Sequence, residues 1–369
     1  MRRHKVLFLC VFYIPLMVLA AMTLLRSPKA FSVIENRPLA QMPVLSLREI
    51  QAGSAQEKFS AYLSDQVPFR DFWIKENTFL KRLFGRKEIN GIYFGDDNYY
   101  FQQFTDDSYS YSRMTALFRM MDNFIKRYDI PTTMILVPSP GTALSDKLPA
   151  DASYYDADTV FDVAEHLLSC SVIDLRNTFE TAADSTQLFY RTDHHWTSQG
   201  AYLAYEQYCS ACGYYPQKYT LEQVSDDFYG TLYSKTLDST AIPDSVYAPV
   251  ELPAVTITYE DGTVSNTPYR HEKLEQKDQY AYFFGGNFGK VTIHTQVQNK
   301  EKLLVIKDSF ANSFVPYLFD DYSEIIMIDL RYYHGSLDDT ITQNGIDRIL
   351  FLYETSNLLT DTGVLRLEK

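Results

Sequence analysis

Acidic side chains are missing from the start of this 369-residue chain: no Asp or Glu occurs before Glu35. The remainder holds all 47 acidic residues and 29 of the 34 basic ones, so its net charge is 29 − 47, or −18. A region that acidic argues against binding nucleic acid or anionic polymers through bulk charge, and favours neutral or locally recognised partners. Cysteine is scarce, at four. Cys209-Ser-Ala-Cys212 has no second such pair and no histidine nearby at ligand spacing, which argues against a zinc or redox centre. It falls on a predicted helix, where bonding within one turn is strained. A disulfide from Cys170 to one of the two is therefore the expectation in an oxidising compartment. Internal repeats and low-complexity tracts are absent. At 46% hydrophobic and 22% charged, the composition is that of a globular protein with one large domain or two.

One uncharged run is long. Val6–Leu25 supplies 20 residues without a charge, enough to cross a bilayer as a helix, and Pro15 within it is tolerable there. Arg2, Arg3 and Lys5 precede it, while Arg26 and Lys29 follow. That bias places the amino terminus inside and everything after residue 30 outside the cytoplasm. Ala20-Ala21 and Ala30 would serve a cleaved signal peptide, but the run is longer than a usual signal core, so an uncleaved single-pass anchor in the cell membrane is expected.

Beyond the anchor (residues 1–30), a linker and a helical and hairpin segment occupy 31–110. It contains helical patterns near 46–63 and 69–84 and a hairpin over Ile92–Phe101. From 111 to 369 helices alternate with buried strands. Leu303–Ile306, Ile325–Ile328 and Ile349–Leu352 recur at intervals of 22 to 24 residues, the spacing of successive strand–helix–strand units in a parallel sheet covered on both faces. Residues 214–300 break this rhythm and read as a β-rich insertion. Sites in such sheets lie beyond the carboxyl ends of the strands.

Two segments could carry chemistry. Asp193-His194-His195-Trp196 sets a carboxylate two residues before an imidazole at the mouth of a helix, as a general base requires. Lys307-Asp308-Ser309-Phe310 follows a buried strand and runs into a helix start, which exposes a serine hydroxyl at a sharp turn. Each has a plainer reading: a capped helix start with polar histidines, and a serine N-cap. Taken together they offer nucleophile, base and orienter from separate segments. Gly285-Gly286-Asn287 could supply oxyanion donors or be an ordinary turn. Arg331, past a strand end, could contact a substrate or form a surface ion pair. The 29 Tyr and 24 Phe suit sugar rings and ordinary cores equally.

Asp-His-His-Trp followed by Thr and a helix resembles the DHHW proteins, which include the alginate O-acetyltransferases. Glu35-Asn36-Arg37, Asp65 with Pro68-Phe69-Arg70, Phe228-Tyr229-Gly230-Thr231, Lys307-Asp308-Ser309-Phe310 and Asp329-Leu330-Arg331-Tyr332-Tyr333 carry the likeness along nearly the whole chain. The resemblance implies a permuted SGNH-hydrolase-like α/β fold and an extracytoplasmic O-acyl (acetyl) transferase. Such an enzyme modifies hydroxyls of a cell-surface or secreted polysaccharide beside a multi-spanning acyl-exporting membrane protein. It also implies Ser309 as nucleophile, His195 as base and Asp193 as orienter, with no metal or other cofactor. His194 would be structural or substrate-facing, and Trp196 would pack the site or stack on a sugar. Gly286, Asn287 and Arg331 would serve substrate or oxyanion. A carbohydrate esterase using the same triad, or a non-catalytic polysaccharide-binding component, would have the same sequence features.

Overall fold

Two compact units form, residues 1–90 with 233–241, and residues 91–232 with 242–369. The computed structural model describes residues 2–44, 46–298 and 300–368, with side chains of the first helix described from Leu9 onward.

In the first unit, α1 spans Arg2–Leu25. Leu9, Val11, Phe12, Ile14 and Met17 are exposed along it. Among the described residues no helix is long and apolar enough to cross a membrane. Val6, Leu7 and Phe8 of the expected span lie outside the described side chains. Three helices follow: α2 (Leu47–Gln51), started by a Ser46–Glu49 capping box, α3 (Ser54–Gln66) and α4 (Arg70–Leu83). Charge pairs tie the segment after α1 to the α3–α4 junction. Arg37 donates two hydrogen bonds to Asp65, at 2.9 and 2.6 Å, and Arg70 pairs with Glu35 and with Asp65. Both motifs that flank this unit's linker are thus two sides of one ion network.

The second unit is built on an eight-stranded sheet. Its strands in chain order are β1 (Thr132–Val137), β2 (Ser171–Asp174), β3 (Val255–Tyr259), β4 (Val264–Ser265), β5 (Lys290–Thr295), β6 (Lys302–Lys307), β7 (Glu324–Ile328) and β8 (Arg348–Glu354). The spatial order is β4-β3-β5-β7-β6-β8-β1-β2. β7, β6, β8, β1 and β2 run parallel, whereas β5, β3 and β4 add antiparallel. The sheet is therefore mixed rather than all parallel. β3 and β5 come from the stretch expected to be an insertion, and their alternating burial is that of strands wet on one face. Leu221–Phe228 and Asp244–Pro249 pair apart from the sheet.

Strand alternation divides the core in two. Met134, Leu136, Leu304, Ile306, Ile349 and Phe351 face one side, covered by α5 (Tyr111–Tyr128) and α6 (Ala157–Leu167). Ile135, Val137, Leu303, Val305, Leu350 and Leu352 face the other, covered by α7 (Ser198–Cys212). This division overturns the expected disulfide. Cys209 and Cys212 pack into the second core and Cys170 into the first, and all four cysteines are free. Burial pushes the Cys170 thiol up to about 11 and the Cys209 thiol up to about 12.

Candidate active site

β6 ends at Lys307, and the turn after it is held by a single buried carboxylate. Asp308 Oδ1 accepts the Phe310 N–H at 2.9 Å, and its Oδ2 accepts the Glu354 N–H and Asn357 Nδ2, each at 2.9 Å. These bonds connect the turn to the end of β8 and fix where Ser309 points. Burial raises the Asp308 carboxyl against the donors that favour its charge.

His195 lies just ahead of α7, whose N-cap is Thr197. The loop doubles back on itself: the Tyr190 N–H donates to the His195 carbonyl and the Thr197 N–H to that of Leu188. His195 Nε2 stands 2.7 Å from Ser309 Oγ, and its Nδ1 stands 2.6 Å from Asp193 Oδ1. All three side chains are buried. Asp193 Oδ1 also accepts the His195 N–H at 3.0 Å, and Oδ2 accepts both the N–H and the hydroxyl of Thr231, at 2.7 and 2.9 Å. Burial alone would raise this carboxyl. The adjacent His194 and His195 imidazoles and the donated hydrogen bonds outweigh it and hold the group well below the usual carboxylate range.

Gly230 makes room for this carboxylate. A Cβ there would lie 2.2 Å from Asp193 Cβ and 2.5 Å from its Oδ2. Tyr280 covers the other side of the imidazole, its ring stacked on His195 at 3.7 Å and 10°, with its hydroxyl donating to the Ser309 carbonyl at 3.0 Å. Tyr280 and Thr231 thus clamp base and orienter. The first sits in an aromatic run after a polar loop and the second in Phe228-Tyr229-Gly230-Thr231, but nothing local in either stretch points to the histidine.

The other predicted residues separate by role. His194 is half-buried, its Nδ1 2.8 Å from Thr231 Oγ1 and its ring 3.9 Å from that of His195. Trp196 is wholly buried and donates from Nε1 to the Phe310 carbonyl and to Ser313 Oγ. It packs beneath the serine turn, the first of the two alternatives left open for it. Lys307, also buried, donates to Asn312 Oδ1 at 2.7 Å and Asn287 Oδ1 at 3.2 Å, and Asn312 Nδ2 donates to Asn287 Oδ1 and the Gly286 carbonyl. Burial lowers the Lys307 ammonium to about 8. Arg331 is held bidentately by Asp329, at 2.9 and 2.6 Å, which makes it an ion pair behind the turn. Lys277 donates to the Tyr229 carbonyl, and burial lowers it to about 8 against the attraction of Asp193.

Donor atoms of Asp193, His194 and His195 lie within 4.8 Å of one another, the spacing of a metal site. The two His195 nitrogens and both Asp193 oxygens are already engaged with Ser309, Thr231 and each other. The arrangement is that of a proton relay, able to deprotonate a hydroxyl and return the proton to a leaving group.

The chain is similar to known proteins in part of its sequence and in its fold. Residues 93–267 match a family profile described as the SGNH hydrolase-like domain of the acetyltransferase AlgX. The chain is similar to the AlgX-type and DHHW proteins. Among solved structures, a DHHW family protein from Eubacterium siraeum is 22% identical with a TM-score of 0.64, covering 75% of this chain and 96% of its own. Bacillus cereus PatB1 is 25% identical with a TM-score of 0.60, covering 73% and 97%. PatB1 has also been solved with a sulfonyl adduct, at 24% identity and a TM-score of 0.59, with the same coverage. No curated protein matches the chain. The likeness to SGNH-like acetyltransferases thus rests on the profile over residues 93–267, and the fold on the solved structures.

Proposed function

We propose that this protein is an O-acyltransferase that moves an acetyl group onto hydroxyls of a cell-surface or secreted polysaccharide. The observation that carries the reading is the continuous Asp193–His195–Ser309 hydrogen-bond chain at 2.6 and 2.7 Å, whose Asp193 and His195 lie within the residues, 93–267, that match an acetyltransferase profile. In this reading His195 Nε2 takes the Ser309 proton as Oγ attacks the acetyl carbonyl of a donor ester. The tetrahedral intermediate collapses, the C–O bond to the leaving group breaks, and that group departs with the proton from His195. An acceptor hydroxyl then gives its proton to His195, attacks the acetyl-serine, and returns Ser309 with its proton. Asp193 holds the Nδ1–H tautomer and balances the imidazolium. Asn287 accepts from Lys307 and Asn312 on its carbonyl oxygen, and we assign its amide N–H groups, with the Ser309 N–H, as the oxyanion donors. No step calls on a metal or other cofactor.

We place the enzyme outside the cytoplasm, held by α1 as a single-pass anchor beside a membrane protein that supplies acyl groups. The uncharged run Val6–Leu25 and the basic residues ahead of it support that placement.

Intact mass after exposure to an activated acetyl ester tests the chemistry. Wild type should gain one acetyl group and pass it to neutral oligosaccharides, whereas Ser309→Ala should gain none. An adduct on Ser309→Ala equal to that on wild type would overturn the reading. Discharge to water alone, with sugars present, would instead make the protein an esterase.

A further inference from the structure

α4 is amphipathic the wrong way round for a helix that packs only within its own unit. Its buried residue is Thr78, whose hydroxyl donates to the Thr236 carbonyl, and Arg82 beside it pairs with the buried Asp238. Phe72, Trp73, Phe79, Leu80, Leu83 and the following Phe84 are all exposed, Phe84 at 83% and Leu83 at 67%. Positions 72, 79, 80 and 83 share one helix face.

Two further features identify what covers this face. A cleft of about 640 Å³ is lined by Thr23, Arg26, Phe31, Phe69 and Phe72 among others, so the start of α4 lies beside the end of α1. Residues 70–87 also reverse the charge of the chain. They carry Arg70, Lys75, Lys81, Arg82, Arg86 and Lys87 against only Asp71 and Glu76, in a protein of net charge −13. Aromatic and aliphatic side chains with interspersed cations, next to the end of the uncharged run read as an anchor, match the interface of an anionic bilayer.

We propose that α4 lies on an anionic lipid surface, with Phe69, Phe72 and Trp73 inserted at headgroup depth where α1 leaves the membrane. The inference rests on the reading of α1 as an anchor. Trp73 is oriented for this position, because its Nε1 donates to the Pro68 carbonyl and leaves the ring on the surface, 47% of the residue exposed.

The chain has two tryptophans, and Trp196 is fully buried in the other unit, so Trp73 reports alone on lipid contact. The full-length protein is reconstituted into phosphatidylcholine vesicles, with or without phosphatidylglycerol, whose acyl chains are brominated near the headgroup, and emission is compared with that in unbrominated lipid. Bromine should remove most of the Trp73 emission in phosphatidylglycerol vesicles, remove less in phosphatidylcholine alone, and leave Trp73→Phe unchanged. Protein that floats with the vesicles but is not quenched would overturn the inference while leaving the anchor intact. That result would point to a second copy or another protein on this face. Quenching equal in the two lipids would overturn the charge argument. Protein that does not float with vesicles at all would overturn the anchor and the inference together.

Discussion

Replacing Asp193 with Asn removes one charge and no bulk, yet the surroundings leave the amide no harmless orientation. Four hydrogens point at the carboxylate: the His195 N–H and Nδ1–H on Oδ1, and the Thr231 N–H and O–H on Oδ2. With the amide nitrogen toward Thr231, it meets a backbone N–H at 2.7 Å, and one buried donor goes unsatisfied at a cost of about 1–3 kcal/mol. With the nitrogen toward His195, it meets the backbone N–H at 3.0 Å and demands an unprotonated Nδ1. The imidazole proton then sits on Nε2, facing Ser309 Oγ, where it blocks the base. Either orientation also removes the negative charge that balances the imidazolium. The expected loss in acetylation rate is about 10³–10⁴-fold, or about 4–5.5 kcal/mol in barrier height. Melting should meanwhile show a folded protein destabilised by a few kcal/mol at most. The assay is the rate of acetyl adduct formation by intact mass, alongside a thermal melt of the same sample. A folded Asp193→Asn protein that acylates within about tenfold of wild type would refute the role given to Asp193 and the proton relay with it.

Two other substitutions follow from the same geometry. Gly230→Ala forces a Cβ to within 2.2 Å of Asp193 Cβ and should destabilise the fold by about 1–3 kcal/mol while slowing acylation, read by melting and adduct rate together. Glu354 is fully buried at the end of β8, where burial pushes its carboxyl up to about 7 from an ordinary 4.5, against the Ser356 and Asn357 N–H groups it accepts. Below about pH 4.5 it is protonated folded and unfolded alike. As pH rises to about 7 only the unfolded chain sheds the proton, so the group's contribution falls across that window by about 3 kcal/mol. Glu354→Gln removes the titration but keeps an oxygen for only one of the two N–H groups, which Oε1 and Oε2 accept separately, so it should lower the denaturant midpoint at pH 4.5 and make its decline from pH 4.5 to 7.5 shallower than in wild type.

The site was legible where its chemistry is local. Asp193 and His195 are two residues apart and precede a helix, and Ser309 follows a buried run directly, so short patterns pointed to both. Thr231 and Tyr280 were not legible as partners. Each reaches the site across a wide separation, 38 residues from Asp193 for Thr231 and 29 from Ser309 for Tyr280, and no periodicity carries that information. The sheet divides in the same way. Continuous apolar runs marked β6, β7 and β8 as buried parallel strands. The alternation in Val255–Tyr259 announced a strand wet on one face but not the sheet it would join. Trp196 was ambiguous for a related reason: an indole can pack or stack, and only the Phe310 and Ser313 acceptors in the folded chain decide it.

Asp308 also bears on when in the life of the molecule the serine can become reactive. Its carboxylate is satisfied by Glu354 and Asn357, which are synthesised long after the histidine loop and dozens of residues after Ser309 itself. A nascent chain that has already presented both Ser309 and His195 to solvent still lacks the donors that set the turn. Synthesis of the chain and completion of the serine turn are thereby ordered, with the turn unset until the strand that carries Glu354 has joined the sheet between β6 and β1.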